Sequence, residues 1–105
     1  MRSPTGPNCA TFARPGITVL LLDAFSAQPI TSQALVVARD GLYTDSVAAT
    51  VPGRPYLLAV ERPGTYTVNV TALGYAPWSL TPVIVSHDAC HVVTMPLAAY
   101  LAPLP

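Results

Sequence analysis

The side chains able to do chemistry are few, and the only cluster with metal-ligand residue types is His87-Asp88-Ala89-Cys90-His91. His87 and His91, with Cys90 or Asp88, offer three ligands of the kinds zinc takes. A strand beginning at Ala89 would send Cys90 and His91 to opposite faces, and oxidation of Cys90 would remove its sulfur. The expectation is two partly exposed loop histidines and no metal. No second Cys stands three residues before Cys90, which excludes c-type haem attachment. Catalysis has less to draw on. There is no Gly-x-Ser-x-Gly elbow, and Asp23, Asp40, Asp45, Glu61 and Asp88 are spread through turns and strand ends rather than paired for acid–base work. We therefore expect no catalytic residue, no enzyme activity and no cofactor.

The other cysteine, Cys9, lies near the opposite end of the chain, a separation that fits no short metal-finger or redox motif. A bond between the two would close a loop around nearly the whole domain, which chain-entropy arguments value at about 4–5 kcal/mol. Two buried free thiols are the alternative. The bonded form is preferred and implies an oxidising, extracytoplasmic compartment: secreted, periplasmic or tethered to the cell envelope.

Composition narrows the field further. The chain has 105 residues, 51% hydrophobic and 10% charged, with zero formal charge. That is one domain's worth of chain, too apolar and too weakly charged for a disordered tail. Five scattered Arg and no Lys do not supply the clustered cations that nucleic acid requires. No window approaches the roughly 18–20 apolar residues of a membrane span. Twelve Pro and six Gly interrupt the chain too often for a helical bundle. Arg, Ala and Pro enrichment without Lys fits a GC-rich bacterial genome. Met1 to Asn8 lacks the apolar core of a signal peptide, and Pro4, Gly6 and Pro7 read as part of a tether over residues 1–15. Gly6-Pro7-Asn8 is a poor processing site for lipidation of Cys9.

The elements that must position these residues read as strands. Thr65 to Ala72 is the clearest: Tyr66, Val68, Val70 and Ala72 face one way and Thr65, Thr67, Asn69 and Thr71 the other. Ile17, Val19 and Leu21 form the inner face of a strand over Gly16–Asp23. Leu20 and Leu22 make its second face apolar too, so it is central or covered by the tail. Gln33–Arg39 and Tyr43–Ala49 flank Asp40-Gly41, a tight-turn dipeptide, and make a hairpin. Tyr56–Glu61 follows. Trp78–Ser86 carries Pro82, which predicts an edge position or a bulge. Cys90–Leu97 is the last predicted strand. Seven short strands with turn signals every 8–14 residues indicate an all-β, antiparallel-rich β-sandwich, with no internal repeat, linker or second domain.

Two stretches of this pattern are similar to a known family. Ile17-Thr18-Val19, Asp23-Ala24-Phe25-Ser26-Ala27-Gln28-Pro29-Ile30 and Ala34-Leu35-Val36 resemble the opening of carboxypeptidase regulatory-like domains. Arg62-Pro63-Gly64-Thr65-Tyr66 through Gly74-Tyr75 resembles that family's Pro-Gly-x-Tyr strand ending in Gly-Tyr. The likeness covers residues 16–97 and implies a seven-stranded prealbumin-like (transthyretin-like, Ig-like) sandwich. Ala27 stands where the family usually has Gly. A positive φ would cost Ala about 1 kcal/mol or more, so a turn of another type is expected there. Asp23 should accept hydrogen bonds from turn amides.

In such sandwiches the first and last strands lie side by side and parallel, which puts Cys9 and Cys90 at one end, where a bridge would pin the tether to the body. The resemblance also names an enzyme of the same fold, the hydroxyisourate hydrolases, which use a His in the first strand and a C-terminal Tyr-Arg-Gly-Ser. Ile17–Asp23 has no His and the chain ends Leu101-Ala102-Pro103-Leu104-Pro105, so that carry-over fails. The catalytic domain of the zinc carboxypeptidases is absent.

Binding is the remaining class. Tyr75 and Trp78 are candidate ligand contacts, because related sandwiches bind carbohydrate through exposed rings; core packing is their plainer role. The tail, residues 98–105, is too apolar to be free in solvent. It covers its own sheet or, through Tyr100 and Leu101, forms an interface, including one with a second copy. Asn69-Val70-Thr71 fits a glycosylation sequon. Taken together the residues predict a non-catalytic, extracytoplasmic β-sandwich module with a structural or protein-binding role at the cell envelope. A carbohydrate-binding module is the alternative, and a small transthyretin-like hydrolase the remote one. Its partner would be a protein or glycan of the envelope, with no nucleic acid and no transmembrane span.

Overall fold

The strongest alternation in the sequence becomes the longest strand. The computed structural model describes Cys9, residues 11–48 and residues 51–105; the first part of the expected tether, with Pro4, Gly6 and Pro7, lies outside the described residues. Within them run β1 (Ile17–Asp23), β2 (Ala34–Asp40), β3 (Tyr43–Ala48), β4 (Tyr56–Leu58), β5 (Gly64–Ala72), β6 (Trp78–Val85) and β7 (Met95–Leu101). One sheet has the order β4-β1-β7 and the other β3-β2-β5-β6. The described chain is thus all-β, two sheets sharing one core, as in a β-sandwich. No helix among the described residues is long and apolar enough to cross a membrane.

Period-2 patterning decides what is buried. Tyr66, Val68, Val70 and Ala72 of β5 point inward, as do Ile17, Val19 and Leu21 of β1 and Val36 and Ala38 of β2. Leu58, Val83, Val85, Ala99 and Leu101 complete the facing layer. Each fully buried Val or Leu stabilises by about 1.5–3 kcal/mol relative to exposure. The β2–β3 hairpin closes on Gly41, which has φ +60°. A glycine at the first loop position is what a type II′ turn takes, and its twist matches the flanking strands.

β1 lies at the centre of its sheet, pairing antiparallel with β4 and parallel with β7, from Ile17 opposite Met95 to Asp23 opposite Leu101. First and last strands are therefore side by side. Pro82 falls on β6, an edge strand. Tyr66 pairs with Val83 and Val68 with Leu80, so Thr81 and Pro82 together oppose Thr67 as a β-bulge.

Two strand boundaries differ from expectation. The last strand begins at Met95 rather than Cys90. Asp88 Oδ1 accepts the amides of Cys90 and His91, both at 2.8 Å, and Val93 N donates to Ser86 O at 2.8 Å; residues 88–94 are spent on a turn. As a consequence β7 runs through Leu101, and the expected boundary between sandwich and tail at 97/98 falls inside a strand. The fourth strand stops at Leu58, not Glu61, because Ala59 and Glu61 adopt φ of 54° and 52°. Ala59 N there donates to Asp45 Oδ2 at 2.9 Å, and Ala59 O receives the amides of Gly16 and Arg62.

Candidate functional site

At the end of the sandwich where β1 begins, the N-terminal arm is fastened to the body. Cys9 and Cys90 form a disulfide with a Cα–Cα separation of 5.3 Å. Phe12 stacks on His91 with ring centroids 5.3 Å apart and planes inclined by 9°, and the Arg14 guanidinium lies over the Phe12 ring. His91 Nδ1 is 2.6 Å from Glu61 Oε2. The same carboxylate accepts the amides of Arg14 (2.8 Å) and Val92 (3.2 Å). The Arg14 amide, then His91 and the Val92 amide, hold Glu61 below its usual pKa; the His91 and Cys90 amides do the same for Asp88.

This places the five-residue cluster that opened the sequence reading. Cys90 is spent on the disulfide, Asp88 on its turn, and Glu61 and His91 on each other and on the arm. His87 Nδ1 meets the carbonyl of Asp88 at 3.0 Å. Among the described residues no group of three His, Cys, Asp or Glu is gathered as a metal would require. Cys90 stands in a turn, not at the opening of the last strand. What the arrangement does chemically is hold the arm: a covalent staple, an amide–carboxylate hydrogen bond and a ring stack on one small area. Residues 11–15, expected as tether, are docked here.

The opposite end is built around Asp23. Its Oδ1 accepts the amides of Phe25 (2.8 Å) and Ser26 (3.0 Å), and its Oδ2 accepts the Tyr75 hydroxyl at 2.9 Å. The Ser26 amide, then that of Phe25 and the Tyr75 hydroxyl, lower the Asp23 pKa; the bond to Asp23 in turn raises that of Tyr75. The expected amide-accepting role of Asp23 is present. Ala27, however, takes φ +60°, so the turn keeps the left-handed position despite lacking Gly. Its amide donates to Asp23 O at 2.8 Å, part of a turn whose bonds hold it there.

Tyr75 and Trp78 are both half-buried and pack against the core. With its hydroxyl committed to Asp23, Tyr75 serves the sandwich, and Trp78 extends the core at the start of β6. A third cluster escaped the sequence reading. Arg62 Nη1 donates to Asp40 Oδ2 and to the Tyr66 hydroxyl, each at 3.0 Å, while its guanidinium lies 3.8 Å from the Tyr43 ring centroid. It locks the hairpin to the start of β5. The Pro-Gly that follows Arg62 marked a turn but not these partners, which only the β2–β5 pairing brings near.

The outer faces of the two sheets are unlike each other. On the four-stranded sheet, Thr44, Ser46, Thr65, Thr67, Asn69 and Thr71 point outward together with Leu35, Val37 and Arg39 of β2 and Ile84 of β6, with Thr67 Oγ1 bonded to Thr81 Oγ1 at 2.9 Å. On the three-stranded sheet the outward rows run Leu57–Thr18–Pro96, then Leu20–Ala98, then Leu22–Tyr100. The hydroxyls of Thr18 and Tyr100 are their two polar groups, and none of the side chains is charged. Beside the middle row is a hollow of about 390 Å³, reached by Thr18, Leu20, Pro55, Pro96 and Ala98. Tyr100 rises next to it, 52% exposed.

Leu101, paired with Tyr100 as a candidate interface residue, points the other way and is 1% exposed; alternation along β7 puts neighbours on opposite faces, and Leu101 belongs to the core. The signal for this apolar face was the second apolar stripe of β1. The tail does not cover it: residues 98–101 lie alongside as the end of β7 and widen it, and residues 102–104 bond to residues 74–76. No protein-family profile matches the chain, and no curated protein matches it in sequence.

Proposed function

We propose that the protein is a non-catalytic binding module of an oxidising, extracytoplasmic compartment, built on a prealbumin-like sandwich of the carboxypeptidase regulatory-like kind, and that it works by docking the outer face of β4-β1-β7 onto another protein surface. The observation that carries the reading is that face: three rows of mainly apolar side chains without a charge, with Leu57, Pro96, Ala98 and Tyr100 exposed and Leu20 and Leu22 half-buried between them. A soluble monomer seldom leaves such a contiguous patch in water unless it is used. The Cys9–Cys90 disulfide supports the compartment. The motifs around Asp23 and Arg62–Tyr75, together with the parallel β1–β7 pair, support the family. The commitment of Glu61, His91, Asp88 and Asp23 to structural bonds supports a role without catalysis.

A photocrosslinking side chain placed at Tyr100 tests this, with Thr44 on the polar sheet as control, in cells exporting the full chain. Adducts from position 100 and none from 44 are expected. Equal yields, or none from 100, would overturn the reading.

A further inference from the structure

The apolar face carries both halves of a self-complementary contact, and we propose that its occupant is a second copy of this chain, packed face to face about a twofold axis that crosses the strands along the Leu20–Ala98 row. The inference rests on the docking role assigned above and names the partner.

A twofold axis lying between two sheets and running across their strands turns the upper row of one copy over the lower row of the other. With the axis on the Leu20–Ala98 row, Tyr100 of each copy stands opposite Pro96 of its mate, because β1 and β7 pair in parallel without a shift and the three rows are evenly spaced. The hollow is at that place: Pro96, Thr18 and the small Ala98 leave room beside Pro55, and Tyr100 is the most prominent ring on the face. Tyr100 thus lies on one side of the axis and the hollow reaches from the axis row to the other side, so that knob and hole of two copies meet in an isologous contact. The four-stranded sheet is a poorer candidate, since its outward face carries the charge of Arg39 and, around Leu35, Val37 and Ile84, mostly hydroxyl side chains of β3 and β5.

The face bears no charge, so like copies meet without repulsion. Aromatic anchors filling a pocket are the usual hot spots of such contacts. The area sets the strength. Two strands of about 23 Å and a short one of about 10 Å, set about 4.8 Å apart, present roughly 270 Å² in projection. Even with the Pro55 loop added, this is below the roughly 600–1,000 Å² per partner of stable complexes. The dimer is therefore a weak, exchanging one, to be sought at protein concentrations of about 1–100 μM.

Sedimentation of the purified, oxidised full chain over that concentration range provides the test. A monomer–dimer equilibrium is expected, weakened at least ~10-fold by Tyr100→Arg, since ~1.4 kcal/mol is lost when such an anchor is removed. Thr44→Arg should leave it unchanged. Both residues are exposed, and equal melting temperatures confirm that the variants fold. A second variant fixes the axis. Position 98 faces its own mate across sheets about 10 Å apart, too far for a direct disulfide but within reach of a short bifunctional maleimide. Ala98→Cys should therefore crosslink to dimer and Thr44→Cys should not. A chain that stays monomeric throughout, or a dimer indifferent to Tyr100→Arg, overturns the proposal. Monomer in solution combined with Tyr100 photoadducts of foreign mass removes the second copy but keeps the docking face; loss of both signals removes the docking role as well.

Discussion

The two ends of the chain are fastened by different physics. Residues 11–15 have no strand to join. They are held mostly by side chains and a covalent bond: Cys9 to Cys90, Phe12 on His91, and the Arg14 amide on Glu61, with Thr94 Oγ1 donating to Pro15 O at 2.7 Å and a single backbone bond from Glu61 N to Arg14 O at 2.9 Å. The other terminus is held by backbone. β7 pairs along its length with β1; beyond it Ala76 N donates to Ala102 O at 2.8 Å and Leu104 N to Gly74 O at 2.9 Å. A segment that enters a sheet satisfies its polar groups in the ladder and buries alternate side chains at once. One that does not must be stapled. The comparison also separates roles: the arm is structural, while the C-terminal strand supplies core residues on one face and the candidate docking residues on the other.

The sharpest way to break this contrast is at the staple. Cys90→Ser opens a covalent loop with a sequence separation of 81 and should cost about 4–5 kcal/mol of unfolding free energy, measured by denaturant titration at fixed pH. Hydrogen exchange should then show the Arg14 and Val92 amides losing protection before those of Ala76 and Leu104. If both ends loosen together, the staple serves the whole fold and the contrast is false.

At the C-terminal end the largest effect should come from the core. Leu101→Ala empties a site that is 1% exposed and should cost about 3 kcal/mol, within the 2–5 kcal/mol typical of buried leucines. Tyr100→Ala, one residue earlier, should leave stability within about 0.5 kcal/mol, as surface changes do. Thermal melts of the pair read the alternation directly. Equal losses would mean that Tyr100 is as much a core residue as its neighbour.

Acid probes the two ends through their carboxylates. Glu61, Asp88 and Asp23 all titrate below their ordinary values in the folded protein. The folded form thus prefers them ionised, and the unfolded chain binds protons first. The stability they contribute is fully present above about pH 5 and is lost as pH falls through the unfolded carboxylate range near 4 and then through the lower folded values. Unfolding free energy should therefore decline from about pH 5 downward. Glu61→Gln should flatten that decline while sparing the turn at Asp23, and Asp23→Asn should do the reverse. A profile unchanged by either variant would show that these bonds do not distinguish folded from unfolded chain.

How far these features were legible follows from whether the information is local. The alternation of Thr65–Ala72 needed no partner to be read, and neither did the Asp40-Gly41 turn or the bulge signalled by Pro82. The start of β7 was misread because Val92-Val93-Thr94 looks like a strand. Asp88 captures the two amides that would begin one, and the register of Met95 is set by Ile17, far away in sequence. The docking face was half visible, as Leu20 and Leu22; Leu57, Pro55 and Pro96 join it only through strand pairing. Tyr100 was singled out for apolarity, the property it shares with Leu101, and only the pleat tells the two apart. The Arg62–Asp40–Tyr66 lock and the Phe12–His91 stack depend wholly on tertiary placement.

The smallest expected effect is at Ala27, in the turn that the C-terminal strand helps to hold: Ala24 N donates to Leu101 O at 2.9 Å and Ala27 N to Asp23 O at 2.8 Å. A left-handed φ costs a residue with a Cβ about 1 kcal/mol. Ala27→Gly removes that strain but gives the unfolded chain more freedom, which offsets about 0.4–1 kcal/mol of the gain. The net should be a stabilisation of no more than about 0.5 kcal/mol, read as a rise of a few degrees at most in melting temperature. The contrast between the ends gives the sign its meaning. If backbone bonds from Asp23 and Leu101 impose the left-handed turn on Ala27, relief of strain wins and glycine stabilises. If glycine destabilises clearly, the turn relaxes once the Cβ is gone, and the C-terminal anchorage depends on Ala27 itself.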